Sequence, residues 1–428
     1  MALPQAKQDA LAARIAGLDL VTSGWTAAPR KAALDRLSAM GLPTRRDEYW
    51  RYTDPASLTT APVPKAALFD AGDEAPAFDG IDRVRLFFVD GVFDATRSDD
   101  PAAAGIELDR LASVADRDIH WARDLYGVLE TAGQTPVQRP LAALNTAFAT
   151  DGVLIRIKGA ATKPVHLIYE HDSETSEAIL HHVVKLEQGA ELTLLESGPA
   201  AARFLKAMEV EVADGARFHH VRVQGRDHER RADTNVFARL GAESLFKSFT
   251  MTANGVLTRN EVVIDLTGDD AMAHVAGAAM GDGDFLHDDT VFITHGAERC
   301  ESRQVFKKVL KNGATGVFQG KILVKPGAQK TDGYQISQSL LLDENSQFLA
   351  KPELEIYADD VKCSHGSTSG AIDETALFYL RSRGVPLKTA QSLLVLAFLA
   401  EAIGEIEDEA IADDIRSRLE GWLARHGQ

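Results

Sequence analysis

Near the C-terminal end of the chain, in DDVKCSHGSTSGAIDETALFYLRSRGV (359–385), Cys363 stands two positions before His365. In a strand, residues two apart share a face, so thiol and imidazole would project together with Ser364 on the other side. Such a pair suits iron or the handling of sulfur. The ordinary alternative is packing, since small thiols and satisfied histidines are common in buried strands. Only Cys300 and Cys363 occur in 428 residues. That count provides neither a disulfide framework nor the Cys-x-x-Cys pairs of a permanent zinc or iron–sulfur site. Metal chemistry here must be sparse, shared with another chain or transient.

Other motifs promise less. GVFQGKI (316–322) lacks the glycine and the Ser/Thr that a phosphate loop needs. GDGDFLHDD (281–289) clusters carboxylates around a histidine without calcium-loop spacing, and reads as a surface loop. His181-His182 and His219-His220 are adjacent, so each pair splits across two strand faces; exposed strand positions are the expectation. Cys300 reads as a buried or half-buried thiol.

The elements that must position Cys363 and His365 are mostly strands. Residues 1 to about 40 have helical periodicity, stopped by Gly41-Leu42-Pro43; GLPTRRDEYWRYTD follows as a compact aromatic and charged segment. Residues 55–80, rich in Pro, Ala and Asp, read as loop or linker, RVRLFFVDGVFD (83–94) as a hairpin turning at Asp90-Gly91, and 107–150 as helical. From 152 to about 357 short β-rich runs follow one another. A Gly-Ala turn recurs at Gly189, Gly215 and Gly241, 26 residues apart, and again at Gly296, 55 further on. That period predicts stacked coils, a parallel β-helix, with an antiparallel sandwich or barrel as the alternative. Past 370 helices return; PLKTAQSLLVLAFLAEAIGEI is apolar on more than one side and needs a deep core or a partner. The domain expectation is a helical region with a short hairpin over 1–150, a β-helix core over 151–365 and a helical domain over 366–428. Cys363 and His365 then lie where the last coil meets the helices, on an edge that must be covered or paired.

A net charge of −17 argues against nucleic-acid and anionic-membrane binding. The longest apolar run, LLVLAFLA (393–400), is far below the ~20 residues that span a bilayer, and no secretion signal is read at the N-terminus. A cytoplasmic protein is expected.

GLPTRRDEYWRYTD, NGATGVFQGKILV and QSLLLDENSQFLAKPELEIYADDVKCSHGSTSGAIDETALFYLRSRGV resemble the SufB/SufD family of iron–sulfur cluster assembly proteins, on its SufD side. The resemblance covers essentially the whole chain and is strongest over 295–404. It implies a right-handed parallel β-helix between N- and C-terminal helical regions, and a non-enzymatic scaffold. Its partners would be SufB, or a second copy as a homodimer, through the β-helix end, and the ATPase SufC through the C-terminal helices. Cys363 and His365 would fall at the interface as donors to transient iron or a nascent cluster, with no stably bound cofactor and a flavin left open. Phe378, Tyr379, Arg381, Arg383 and Leu387 would form the SufC-docking region. A SufB-like paralogue, a purely structural partner and a polysaccharide-acting β-helix enzyme remain the alternatives.

Overall fold

The structure is a computed structural model describing residues 3–68, 75–225 and 229–426. Two sheets, of ten and nine strands, face each other, and successive strands between Val153 and Gly370 alternate between them. Each coil thus adds one strand to each sheet, and every ladder in this stretch is parallel. The result is the expected β-solenoid, with about seven turns; parallel ladders exclude the antiparallel sandwich. The coils widen along the chain. Arg203 stands opposite Glu177 and Leu245 opposite Arg217, whereas Asp332 stands opposite Glu301 and Lys362 opposite Asp332. The 26-residue glycine interval is therefore the pitch of the early coils, and later ones take up to five residues more.

The narrow end is closed. The expected hairpin forms, Val84–Val89 against Val92–Asp94, with Asp90 and Gly91 at positive φ in the turn. Its first strand joins the ten-stranded sheet in parallel with Val165–Glu170. Glu107–Arg110 runs antiparallel onto Val153–Ile157 and ends the other sheet.

The N-terminal helical pattern is two helices, Gln5–Ile15 and Ala27–Met40. Gly24 divides them at φ +69°, where a Cβ would lie 2.3 Å from the Ala115 carbonyl. The 107–150 stretch is short helices plus one strand; its helix Pro140–Phe148 is buried throughout against the nine-stranded sheet. In the Pro/Ala-rich stretch Ala56–Thr59 forms one helical turn, Phe78 is fully buried, and 69–74 lie outside the described residues.

The both-sided apolar helix is Leu387–Ile403. Val395, Leu399, Ala402 and Ile403 are buried in one cluster with Val305 and Val309 of the ten-stranded sheet and with Ile411, Ile415, Leu419 and Trp422 of the last helix, Glu409–His426. Each fully buried aliphatic side chain of this kind contributes about 1.5–3 kcal/mol. N-terminal helices cover one sheet and C-terminal helices the other, but among the described residues neither set closes the outer edge of the last coil.

Candidate functional site

At the wide end the penultimate strand, Gln347–Ile356, and the terminal strand, Lys362–Gly370, are the outermost members of their sheets. Neither holds a buried residue. Cys363 stands opposite Gly333 and His365 opposite Gln335, on the row that includes the buried Ser337 and Ser339. Ser367 and Ser369 continue it, hydrogen-bonded to Ser337 at 2.9 Å and Ser339 at 3.1 Å. The expected shared face is therefore present, on the inward row of an open coil.

The two donors differ in surroundings. Cys363 is half-buried against Ile322, Val324 and Ala328, and a Cβ on Gly333 would sit 3.2 Å from its Sγ. Burial raises the Cys363 thiol above its ordinary pKa, against a lowering contribution from the Gly333 backbone. His365 is exposed, and among the described residues its ring makes no hydrogen bond. Among these residues no group of three His, Cys, Asp or Glu could hold a metal ion. Two donors fit half of a tetrahedral site, which takes about four. Cys300 does not join them: it is fully buried and donates to the Gly268 carbonyl at 3.3 Å.

All five residues assigned to docking are exposed. Asp373 caps helix Glu374–Ser382 by accepting from the backbone N–H groups of Thr375 and Ala376, and that helix contains no buried residue. Phe378 is 74% exposed, Tyr379 54% and Leu387 42%. Arg381 and Arg383 are exposed, and the Arg383 guanidinium lies 3.9 Å from the Tyr379 ring centre. Monomer surfaces seldom hold such large apolar side chains together.

Three expectations need correction. His181 and His182 are fully buried, and so is His220. His181 faces the N-terminal helices, bonding Glu209 at 2.7 Å beneath Tyr126, while His182 faces the solenoid interior beside the Tyr169 hydroxyl at 3.0 Å. Burial pushes the His182 imidazole down to about 3, so it is neutral and satisfied. Likewise, GDGDFLHDD is not a surface loop as a whole. Strand Leu286–His295 carries His287, Asp288 and Asp289 into the protein, where Arg259 pairs with Asp288 and Lys308 with Asp289. Buried carboxylates are tolerated when paired in this way.

These histidines open onto a feature that sequence patterning missed. Part of the solenoid interior is polar. Glu196 accepts from Lys206, His220 and Tyr169. Burial raises its pKa, but Lys206 and His220 outweigh that and hold it well below the carboxylate range. Arg222 donates to Thr234, Thr234 to Asn260, and Asn260 sits 3.1 Å from His287, which meets Lys308 at 3.0 Å. The available signal was polar residues at alternate positions, His220-x-Arg222-x-Gln224 above all. On the nine-stranded sheet's outer face, the aromatic and charged segment is a strap. Trp50 stacks on Arg259 at 4.2 Å, the Tyr49 carbonyl accepts from Arg259 and Gln319, and the Tyr49 hydroxyl reaches Glu353 on the penultimate strand.

The family model for the SUF system FeS cluster assembly SufBD core domain matches residues 166–398, more than half of the chain. The chain belongs to the SufBD family. Family relatives share its length. Iron-sulfur cluster assembly protein SufD of Escherichia coli is 30% identical, over 90% of each chain. The protein of the same name in Bacillus subtilis is 26% identical, over 87% of each. Protein ABCI7, chloroplastic, of Arabidopsis thaliana is 25% identical, over 92% of this chain and 85% of its own. Membership makes the chain a component of the SUF iron–sulfur cluster assembly system. No helix among the described residues is long and apolar enough to cross a membrane.

Proposed function

We propose that this chain is the SufD-like scaffold subunit of the SUF machinery, acting in the cytoplasm without enzymatic activity of its own. It pairs with SufB through the wide end of the solenoid and binds the SufC ATPase through Phe378, Tyr379, Arg381, Arg383 and Leu387. Iron, or a nascent cluster, is its cargo rather than a resident cofactor. His365 supplies an imidazole nitrogen to that iron and Cys363 a supporting thiol, with the remaining donors on the partner.

The observation that carries this reading is the open coil: a half-complete donor set on the inward row of two strands that have no outer neighbour. An unpaired edge of that length is a pairing surface. A partner strand added there would lie beside Cys363 and His365 and exclude water from them. Hydrolysis in SufC would then reach the pair through helix Leu387–Ile403, which packs directly on the sheet whose last strand bears it.

The test is reconstitution with SufB and SufC, counting iron and sulfide per complex, for the native chain and for His365→Ala. The substitution is expected to lower cluster yield at least tenfold while complex assembly is retained. Unchanged yield would remove His365 from the chemistry and favour a purely structural partner.

A further inference from the structure

The polar part of the interior holds more positive charge than its carboxylates neutralise. Lys206 is matched by Glu196, and Lys308 by Asp289. Arg222 and Arg230 remain, both more than nine-tenths buried; among the described residues neither makes a contact ion pair, and the acidic neighbour of Arg222 at longer range, Glu196, is already matched by Lys206. The Arg222 Nη1 donates to the Thr234 hydroxyl and the Arg230 Nη2 to the Asn254 carbonyl. The Arg222 Nε and the Arg230 Nε and Nη1 have no partner. Guanidinium groups do not shed their charge readily, and a buried, unmatched one is destabilising.

The backbone makes room for this arrangement. Gly225 (φ +61°) and Gly255 (φ +109°) flank the Arg230 side chain, and a Cβ on Gly225 would stand 1.6 Å from its Nη1. Beside the two arginines is a cavity of about 10 Å³, walled also by Tyr169, Glu196, Ser197, Phe204 and Gln224. That is room for one water-sized particle. Glu196 does not repel an anion there as a bare charge would, because Lys206, His220 and Tyr169 already hold its oxygens. The wall Ser197-Gly198-Pro199 is shared with a mainly apolar cleft of about 270 Å³ under the last helix, beside Trp422, which gives a short path from solvent.

We propose that Arg222 and Arg230 form a binding site for one small monovalent inorganic anion of the halide class, buried at the corner of the solenoid. The anion supplies the charge that the carboxylates lack and accepts from the three free N–H groups. Phosphate and sulfate are too large for the cavity. The site is separate from the open coil and stands or falls independently of the scaffold reading.

Bromide is the probe. Crystals of the full chain grown in potassium bromide are expected to show an anomalous peak between Arg222 and Arg230. In solution the melting temperature should rise saturably, by about 1–3 °C, when bromide replaces gluconate at constant ionic strength. Arg230→Met keeps the packing volume, removes the unmatched charge, and is expected to abolish both effects. A cavity holding only water or nothing in bromide crystals, with no saturable bromide dependence for the native chain, would overturn the site without recourse to any variant.

Discussion

Cys300 and Cys363 share a residue type and little else. Cys300 is sealed beneath a turn and bonded to a carbonyl, while Cys363 is half-open at the solenoid mouth. Burial raises both thiols, so each is protonated at neutral pH in the isolated chain. Thiolate is the reactive form, and access decides which sulfur reacts. Alkylation of the native chain should therefore modify Cys363 alone, at a rate still climbing above pH 9, with Cys300 labelled only after unfolding. Mass spectrometry of digested protein over a pH series checks both; rapid labelling at pH 7 would contradict the burial argument. The shared face of Cys363 and His365 was legible because i, i+2 spacing fixes it whatever the surroundings. The histidine pairs were misjudged because sequence shows alternation but not which face meets water, and here both faces are covered.

At the scale of elements, the Glu48–Thr53 strap sits over more buried acid than base. Asp233, Glu261 and Asp288 share Arg259 and Arg139, and Thr53 donates to Asp288 at 2.6 Å. Burial first, then the neighbouring Glu261, push the Asp233 carboxyl up to about 7. A carboxyl raised from 3.8 to about 7 binds its proton more tightly in the folded state. Its contribution to stability is thus favourable at low pH, and is lost as pH rises from about 4 through 7. Asp233→Asn should flatten the melting-temperature profile between pH 5 and 8 and raise stability most at pH 8. An unchanged slope would mean that Asp233 is not the titrating group. The strap itself was visible only as a dense aromatic and charged run. Its partner Arg259 lies some 210 positions away, a separation that local patterning cannot bridge. The coils were legible because Gly-Ala corners repeat, whereas the N-terminal helices were not divided correctly because Gly24 yields to a tertiary contact rather than a local signal.

For the whole molecule the decisive property is the bare last coil. Lys362 donates its N–H back to Thr331. By the alternation of a parallel ladder, residues 363, 365, 367 and 369 turn their backbone groups outward. Ser367→Pro deletes one outward backbone donor and, within the chain, only the side-chain hydrogen bond to Ser337, and proline is tolerated on an edge strand. It should leave the melting temperature within about 2 °C while weakening association with SufB, or with a second copy, at least tenfold in analytical ultracentrifugation. Association at native strength would locate the contact elsewhere. The SufBD resemblance pointed to that end of the solenoid from sequence, and there the last strands have no outer neighbour in their sheets.

The three- and four-residue antiparallel strands at the narrow end acquire a meaning from this asymmetry. Edges so short offer almost nothing for a newcomer to grip. A rod adhesive at both tips would grow head-to-tail without limit; one with a single sticky tip stops at two. Under the proposed pairing, blunting the opposite tip would hold the assembly at two and leave the exposed strand edges no route to fibres.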